Sequence, residues 1–270
     1  MSLTAIRLIL GERPQLISDV NDELARMPRW SQIIAVKFRL AILIGFLSAV
    51  VSAANDGETN QPSAQKSTQL VPLALKLPMR GIGCTTVSPI PVGPDIEPWA
   101  LSRPEFMVPS GVTNIALMKK VTGSAKPFTG SLGLVTDGNK EPIDSSVTEI
   151  RKGVQWVQID LEANYEIYAI DCWLDHRYID LVYKGVIIAI ADNPSFNQNV
   201  RVLFNNDKEG LAGLGVGTDK RYVETHLGKL VDAKGAKARY VRVYSNGSNL
   251  TQLNCFTEVE ARVTETTAVA

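Results

Sequence analysis

Lys237-Ala-Arg-Tyr-Val-Arg-Val-Tyr-Ser-Asn-Gly-Ser248 alternates from Arg239 to Tyr244, with Val241 and Val243 on one side and Tyr240, Arg242 and Tyr244 on the other. That is the period of a half-buried strand. Ser245-Asn246-Gly247-Ser248 then supplies residues that tolerate left-handed backbone, so the strand ends in an exposed turn. Trp156-Val-Gln-Ile-Asp-Leu161 obeys the same rule, with Val157, Ile159 and Leu161 opposite Trp156, Gln158 and Asp160. Two such strands far apart in sequence predict sheets packed face to face, a scaffold whose function sits in its loops.

Working outward, further short apolar or alternating runs cover Ile115 to Val121, Tyr165 to Leu174, Tyr183 to Ala191, Val200 to Asn205, Tyr222 to Thr225 and Phe256 to Val263. Turn signals separate them: Asp137-Gly138, Asp192-Asn193-Pro194, Gly213 to Gly217 and Lys234-Gly235. Short strands, regular turns and no amphipathic helical period predict an all-β sandwich beginning near Asn114.

Lysine plus arginine equals aspartate plus glutamate at 28 each, so no net field draws nucleic acid or an anionic membrane. Leu40 to Val51 is an uncharged apolar run of twelve residues after Arg29, Lys37 and Arg39, followed by Ser52-Ala53-Ala54. It reads as a signal peptide over 27–54, started at Met27 and cleaved after Ala53 or Ala54, with 1–26 as an upstream segment outside the translated product. The competing reading is an uncleaved membrane anchor, which needs roughly 20 apolar residues. Either way the rest is expected to be secreted or on the cell surface. Nine of the fourteen prolines fall in 55–113, which reads as a linker or arm. Its stretches Leu70 to Leu77 and Pro98-Trp99 are apolar enough to lie on the sandwich of residues 114–264, after which 265–270 form a tail.

Three cysteines are an odd number for an exported chain. Cys172 shares a face with Ile170 and Leu174 and reads as a buried thiol, whereas a bridge from Cys84 to Cys255 would tie the arm to the sandwich. His176 and His226 are the only histidines, which leaves a catalytic zinc short of ligands. No serine sits in a nucleophile elbow. A small glycoside hydrolase would need two carboxylates facing one cleft.

Asn114-Ile-Ala-Leu, Thr136-Asp-Gly138, Trp156 to Leu161, Ala238 to Ser248 and Thr257-Glu-Val-Glu260, in this order, resemble a discoidin domain. This is the coagulation factor five/eight type C family, which overlaps the galactose-binding-like carbohydrate-binding modules. The resemblance covers Asn114 to Val263. It implies an eight-stranded antiparallel jelly-roll that binds glycan through loops at one end, without catalysis and often with a structural Ca²⁺. Calcium takes six to eight hard oxygens; the loop of Asp137 and Asn139 can supply some. Glu258, with the Thr257 carbonyl beside it, matches the last-strand ligand of carbohydrate-binding members. The plain alternative is an Asp-Gly turn and a solvated glutamate. For the glycan, Asp175-His176-Arg177-Tyr178 combines an aromatic ring with planar and charged groups that can bond hydroxyls. Tyr183, Asn246 and Asn249 are secondary candidates. His176 also reads as a surface histidine bonded to its neighbours. Trp156 and Trp173 read as core, and Tyr240, Arg242 and Tyr244 as cover for the sandwich face. A protein-interaction or adhesion module on the same fold, binding a surface protein, would instead expose an apolar loop patch.

Overall fold

The structure, a computed structural model, describes residues 69–81, 91–178 and 180–264. The upstream segment, the signal peptide, Cys84 and the 265–270 tail lie outside them. Among the described residues, ten strands follow in chain order: β1 Leu70–Pro72, β2 Met107–Pro109, β3 Val112–Asn114, β4 Val121–Gly123, β5 Thr148–Ile150, β6 Gln155–Leu174, β7 Ile187–Ala191, β8 Arg201–Asn205, β9 Lys229–Ser245 and β10 Asn254–Thr264. Apart from strands, Leu132–Thr136 and Asp144–Ser146 are short 3₁₀ turns. β1 and β2 form a separate ribbon, and the other eight strands form the antiparallel body.

β6 and β9 are shared by both layers. The first half of β6, Gln155 to Asp160, pairs with Tyr240 to Ser245 of β9 and with β4, and β7 and β8 continue this first layer. The second half, Tyr165 to Leu174, pairs with Lys229 to Ala238 of β9 and with β10, on which β3 and β5 also pair. The two halves are separated by irregular pairing, with Glu162 at φ 74 on β6 and Lys234 and Gly235 at φ 54 and 71 on β9. Lys234-Gly235, expected to end a strand, therefore lies inside one as a bulge, because two left-handed residues bend the ladder without breaking it.

The alternation follows through this bend. Val157, Ile159 and Leu161 face the core from the first layer; Ile170, Cys172 and Leu174 face it from the second, with Val241, Val243, Phe256, Val259 and Ala261. The change from odd to even numbers falls at Tyr168, the one extra residue of β6 between Ile167 and Ala169, which pair with the adjacent Val263 and Arg262 of β10, since one extra residue sends later side chains to the opposite face. Cys172 is buried as expected, and both it and Cys255 are free thiols.

Two expected strands differ. Ile115 to Val121 is mostly a turn: the Asn114 carboxamide oxygen accepts from the Ala116 and Ala261 amides, both at 3.1 Å, and Met118 is left-handed at φ 59. Tyr222 to Thr225 makes only an isolated bridge, Val223 with Val182. The arm also begins to be structured well before Asn114. Its Leu73 and Ser110 amides close the β1–β2 ribbon, Ile96 bridges Arg221, and Glu97 reaches Lys229 at 2.5 Å. Arg103 donates to Asp171 at 2.7 Å and to the Leu227 carbonyl.

Candidate functional site

Four connections converge at one end of the body. The residues after β6 are tied to the 246–249 turn, where Lys184 donates to the Gly247 carbonyl and Asn246 donates back to the Lys184 carbonyl. The 128–131 loop is pinned to β5 by the Phe128 amide, which donates to Glu149. The Asn254 carboxamide holds the Arg151 and Gly153 carbonyls at 2.6 and 2.8 Å and accepts from Gly247 at 2.9 Å.

Arg177 is the centre of this end. Its Nε and Nη2 donate to the two oxygens of Asp175 at 2.9 and 2.7 Å, its Nη1 to Asp144, and Glu149 lies 3.7 Å away. Three carboxylates in reach hold the guanidinium in one orientation, because a planar fork loses little freedom per bond. The Asp175 hydrogen bonds, with those charges, push the guanidinium's pKa still higher. Tyr178 follows it and is 47% exposed.

The remaining candidates fall elsewhere. Tyr183 is 1% exposed and its hydroxyl faces the Asp175 carbonyl, so it is a core side chain rather than a ligand contact. Asn249 spends its carboxamide within the fold: the oxygen accepts from Val182 at 2.8 Å and the nitrogen donates to Asp180 at 2.9 Å, which clamps the loop. Asn246 is half-buried and packs on Gly185. His176 is neither at the surface nor free to meet a ligand: it is 1% exposed, under the arm. Its Nδ1 donates to the Leu174 carbonyl at 3.1 Å, which leaves Nε2 as an acceptor with no partner. Burial lowers its pKa. His226 lines the same small cavity with Arg80 and Trp99, and Gly81 presses so closely on the His176 carbonyl that no Cβ fits.

Asp137 and Glu258 do come together, whereas Asn139 donates its amide to Asp137 at 2.8 Å and turns its carboxamide oxygen to the Glu141 amide at 3.1 Å. Glu258 has no exposure; one carboxylate oxygen accepts from the Gly138 amide at 3.2 Å and the other, Oε1, has no partner. Burial, reinforced by the charges of Glu260 and Asp137, pushes its pKa up to about 9. Thr257 is the extra residue of a bulge between Phe256 and Glu258, so it drops out of the ladder. Lys140, whose charge acts on Glu258, is committed to Glu260 at 2.5 Å and lies over the Trp173 ring. A buried carboxylate oxygen without a donor, a second carboxylate and an unladdered residue suit a hard cation that takes oxygen ligands. The solvated glutamate that sequence also allowed is not what is seen.

Trp156 and Trp173 are both packed, but not in the central core. Trp173 lies on the outer face of the second layer, donating to the His226 carbonyl at 3.0 Å, with Gly228 (φ +63) against the ring where a Cβ would sit 2.7 Å away. Trp156 lies on the outer face of the first layer. There Tyr240 and Tyr244 join Ile187, Ala189 and Phe196 in a second apolar cluster, as their alternation predicts. Phe128, 79% exposed at the loop end, carried no signal in the sequence, because nothing in its surroundings marks a periodic face.

The fold is an antiparallel β-sandwich whose connections meet at one end. No family model matches the chain, and no curated protein matches it. Similar solved structures include a family 32 carbohydrate-binding module of AlyQ in complex with 4,5-unsaturated mannuronic acid: 18% identity, TM-score 0.38, 53% of this chain and 92% of that one. A chitosan-binding module from a chitosanase/glucanase of Paenibacillus sp. IK-5 is 16% identical, with TM-score 0.40 over 55% of this chain and 98% of that one. A fucose-binding module of Streptococcus pneumoniae is 21% identical, with TM-score 0.37 over 55% and 96%. Among the described residues, no helix is long and apolar enough to cross a membrane.

Proposed function

We propose that this chain is a non-catalytic carbohydrate-binding module that holds a glycan at the loop end. The observation that carries the reading is Tyr178, a ring 47% exposed directly after a guanidinium fixed by three carboxylates. An exposed ring accepts the C–H face of a sugar, and the Arg177 cluster beside it offers N–H donors and carboxylate acceptors to hydroxyls. Asp137, Glu258 and the Thr257 carbonyl would hold Ca²⁺, with the Asn139 loop around it. The ion would supply charge compensation for Glu258 and tie β10 to the 137–139 loop. The chain would act outside the cell, secreted or at its surface.

A glycan array probed with the full chain tests this, with fucose, chitosan oligosaccharides and unsaturated mannuronate among the probes. Tyr178→Ala is expected to weaken binding about tenfold, the upper size of a ring contact, with the melting temperature unchanged. Silence of a folded sample across a broad array, together with capture of a surface protein through the loop end, would sink the glycan reading. Loss of glycan binding on chelation would support the ion.

A further inference from the structure

A groove of about 310 Å³ crosses β4, β6 and the far end of β9 on the outer face of the first layer, away from the Arg177 cluster. Its floor and rim follow from register. Thr122 pairs with Gln158 and Gln158 with Arg242, while Asp160 pairs with Tyr240 and donates its amide to the Lys120 carbonyl. Directly paired residues face the same way, so Lys120, Thr122, Trp156, Gln158, Asp160 and Tyr240 all project from this face. At the spacing of about 4.8 Å between strands, the groove is about 10 Å across.

The floor is fixed. Arg242 lies 4.1 Å over the Trp156 ring and 4.1 Å over Phe196, and donates to the Gln158 carboxamide oxygen at 2.8 Å. Gln158 in turn donates to the Pro194 carbonyl at 3.2 Å. Asp160 is held by both nitrogens of the Arg239 fork at 2.7 and 2.9 Å, which keeps its carboxyl ionised, below the usual range. The rim is not committed. Among the described residues, the Lys120 ammonium, the Thr122 hydroxyl and the Trp156 indole N–H have no hydrogen-bond partner. A preorganised aromatic ring, an anchored carboxylate acceptor and three unused donors around one shallow groove are complementary to a pyranose, which has an apolar face and a ring of hydroxyls.

From this geometry we infer that the groove is a second carbohydrate site, binding sugar residues of a glycan chain against Trp156, with Asp160 accepting from hydroxyls and Lys120 and Thr122 donating to them. It goes beyond the loop-end reading and does not need it. Amide and indole resonances of the full chain are followed by NMR during titration with hexaoses of β-1,4-linked glucose, N-acetylglucosamine and mannuronate. The expected result is that at least one hexaose shifts the Trp156 indole and the Lys120 and Thr122 amides in a saturable way. Thr122→Arg, which fills the groove from an exposed position without touching the core, then weakens that binding at least about tenfold. Its melting temperature shows that it folds. Shifts confined to the Tyr178 loop overturn the groove and leave the loop-end site standing; shifts at Trp156 alone do the reverse. If no hexaose moves the Trp156 group, or Thr122→Arg leaves the titration unchanged, the groove is not a sugar site.

Discussion

At Glu258 a carboxyl sits without exposure beside one amide donor, and what it costs depends on its proton. Its pKa stands at about 9 in the folded chain against 4.5 as a free side chain. Folding therefore takes up a proton between these values, and the metal-free protein loses stability as pH rises through that window. Glu224, pushed up to about 8 by complete burial, and Asp171, at about 6, tilt the profile the same way. Glu258→Gln removes one of the three. Its melting temperature is expected to fall less than the wild type's between about pH 5 and pH 9, and added Ca²⁺ is expected to flatten the wild-type profile but not the variant's. Overlaid profiles in the absence of metal would mean that Glu258 is already ionised and compensated. In sequence Asp137 was marked by its Asp-Gly turn, whereas Glu258 was marked only by its likeness to the last-strand carboxylate of carbohydrate-binding members. The burial that makes them matter was not, since it is created by β10 packing across a distance of 120 residues.

The arm is held to the body by a few specific bonds, and Arg103 to Asp171 is the most buried of them, with side-chain exposures of 15% and 0%. Burial raises the Asp171 pKa to about 6 even with the guanidinium present. Arg103→Ala leaves that carboxylate buried and alone, at an expected cost of about 3–5 kcal/mol, read as a lower urea midpoint at neutral pH. Asp171→Asn in the same background should recover much of the loss, because a neutral amide needs no cation. A midpoint that does not move would show the arm to be an ornament. Sequence marked the apolar pieces of this arm but not Arg103, since one arginine in a proline-rich stretch has no period to belong to. The long strands tell the same story from the other side. The alternation of Trp156 to Leu161 and of Tyr165 to Leu174 read as two strands, although β6 is continuous through Glu162; only its pairing with β9, settled far along the chain, shows that one strand serves both layers.

On the scale of the molecule, the groove and the loop end are successive stations on the same strands. β6 leaves the loop end at Gln155 and Trp156, and β9 returns to it at Tyr244 and Ser245, so the Trp156 side of the groove opens toward the turn that carries Asn246. A flexible saccharide chain held at Tyr178 would have its next units carried past this edge, and a second contact made by a tethered chain occurs at high effective concentration. The two sites together are then expected to bind a soluble polysaccharide more than about tenfold tighter than its hexaose, well inside the range that avidity allows. Tyr178→Ala and Thr122→Arg should each abolish this polymer advantage while leaving the other site's hexaose binding intact, and isothermal titration of both ligands against the three proteins reads it directly. Equal affinity for polymer and hexaose in the wild type would mean that the stations are occupied by separate chains. A gain that survives Thr122→Arg would mean that the polymer engages the loop end by another route.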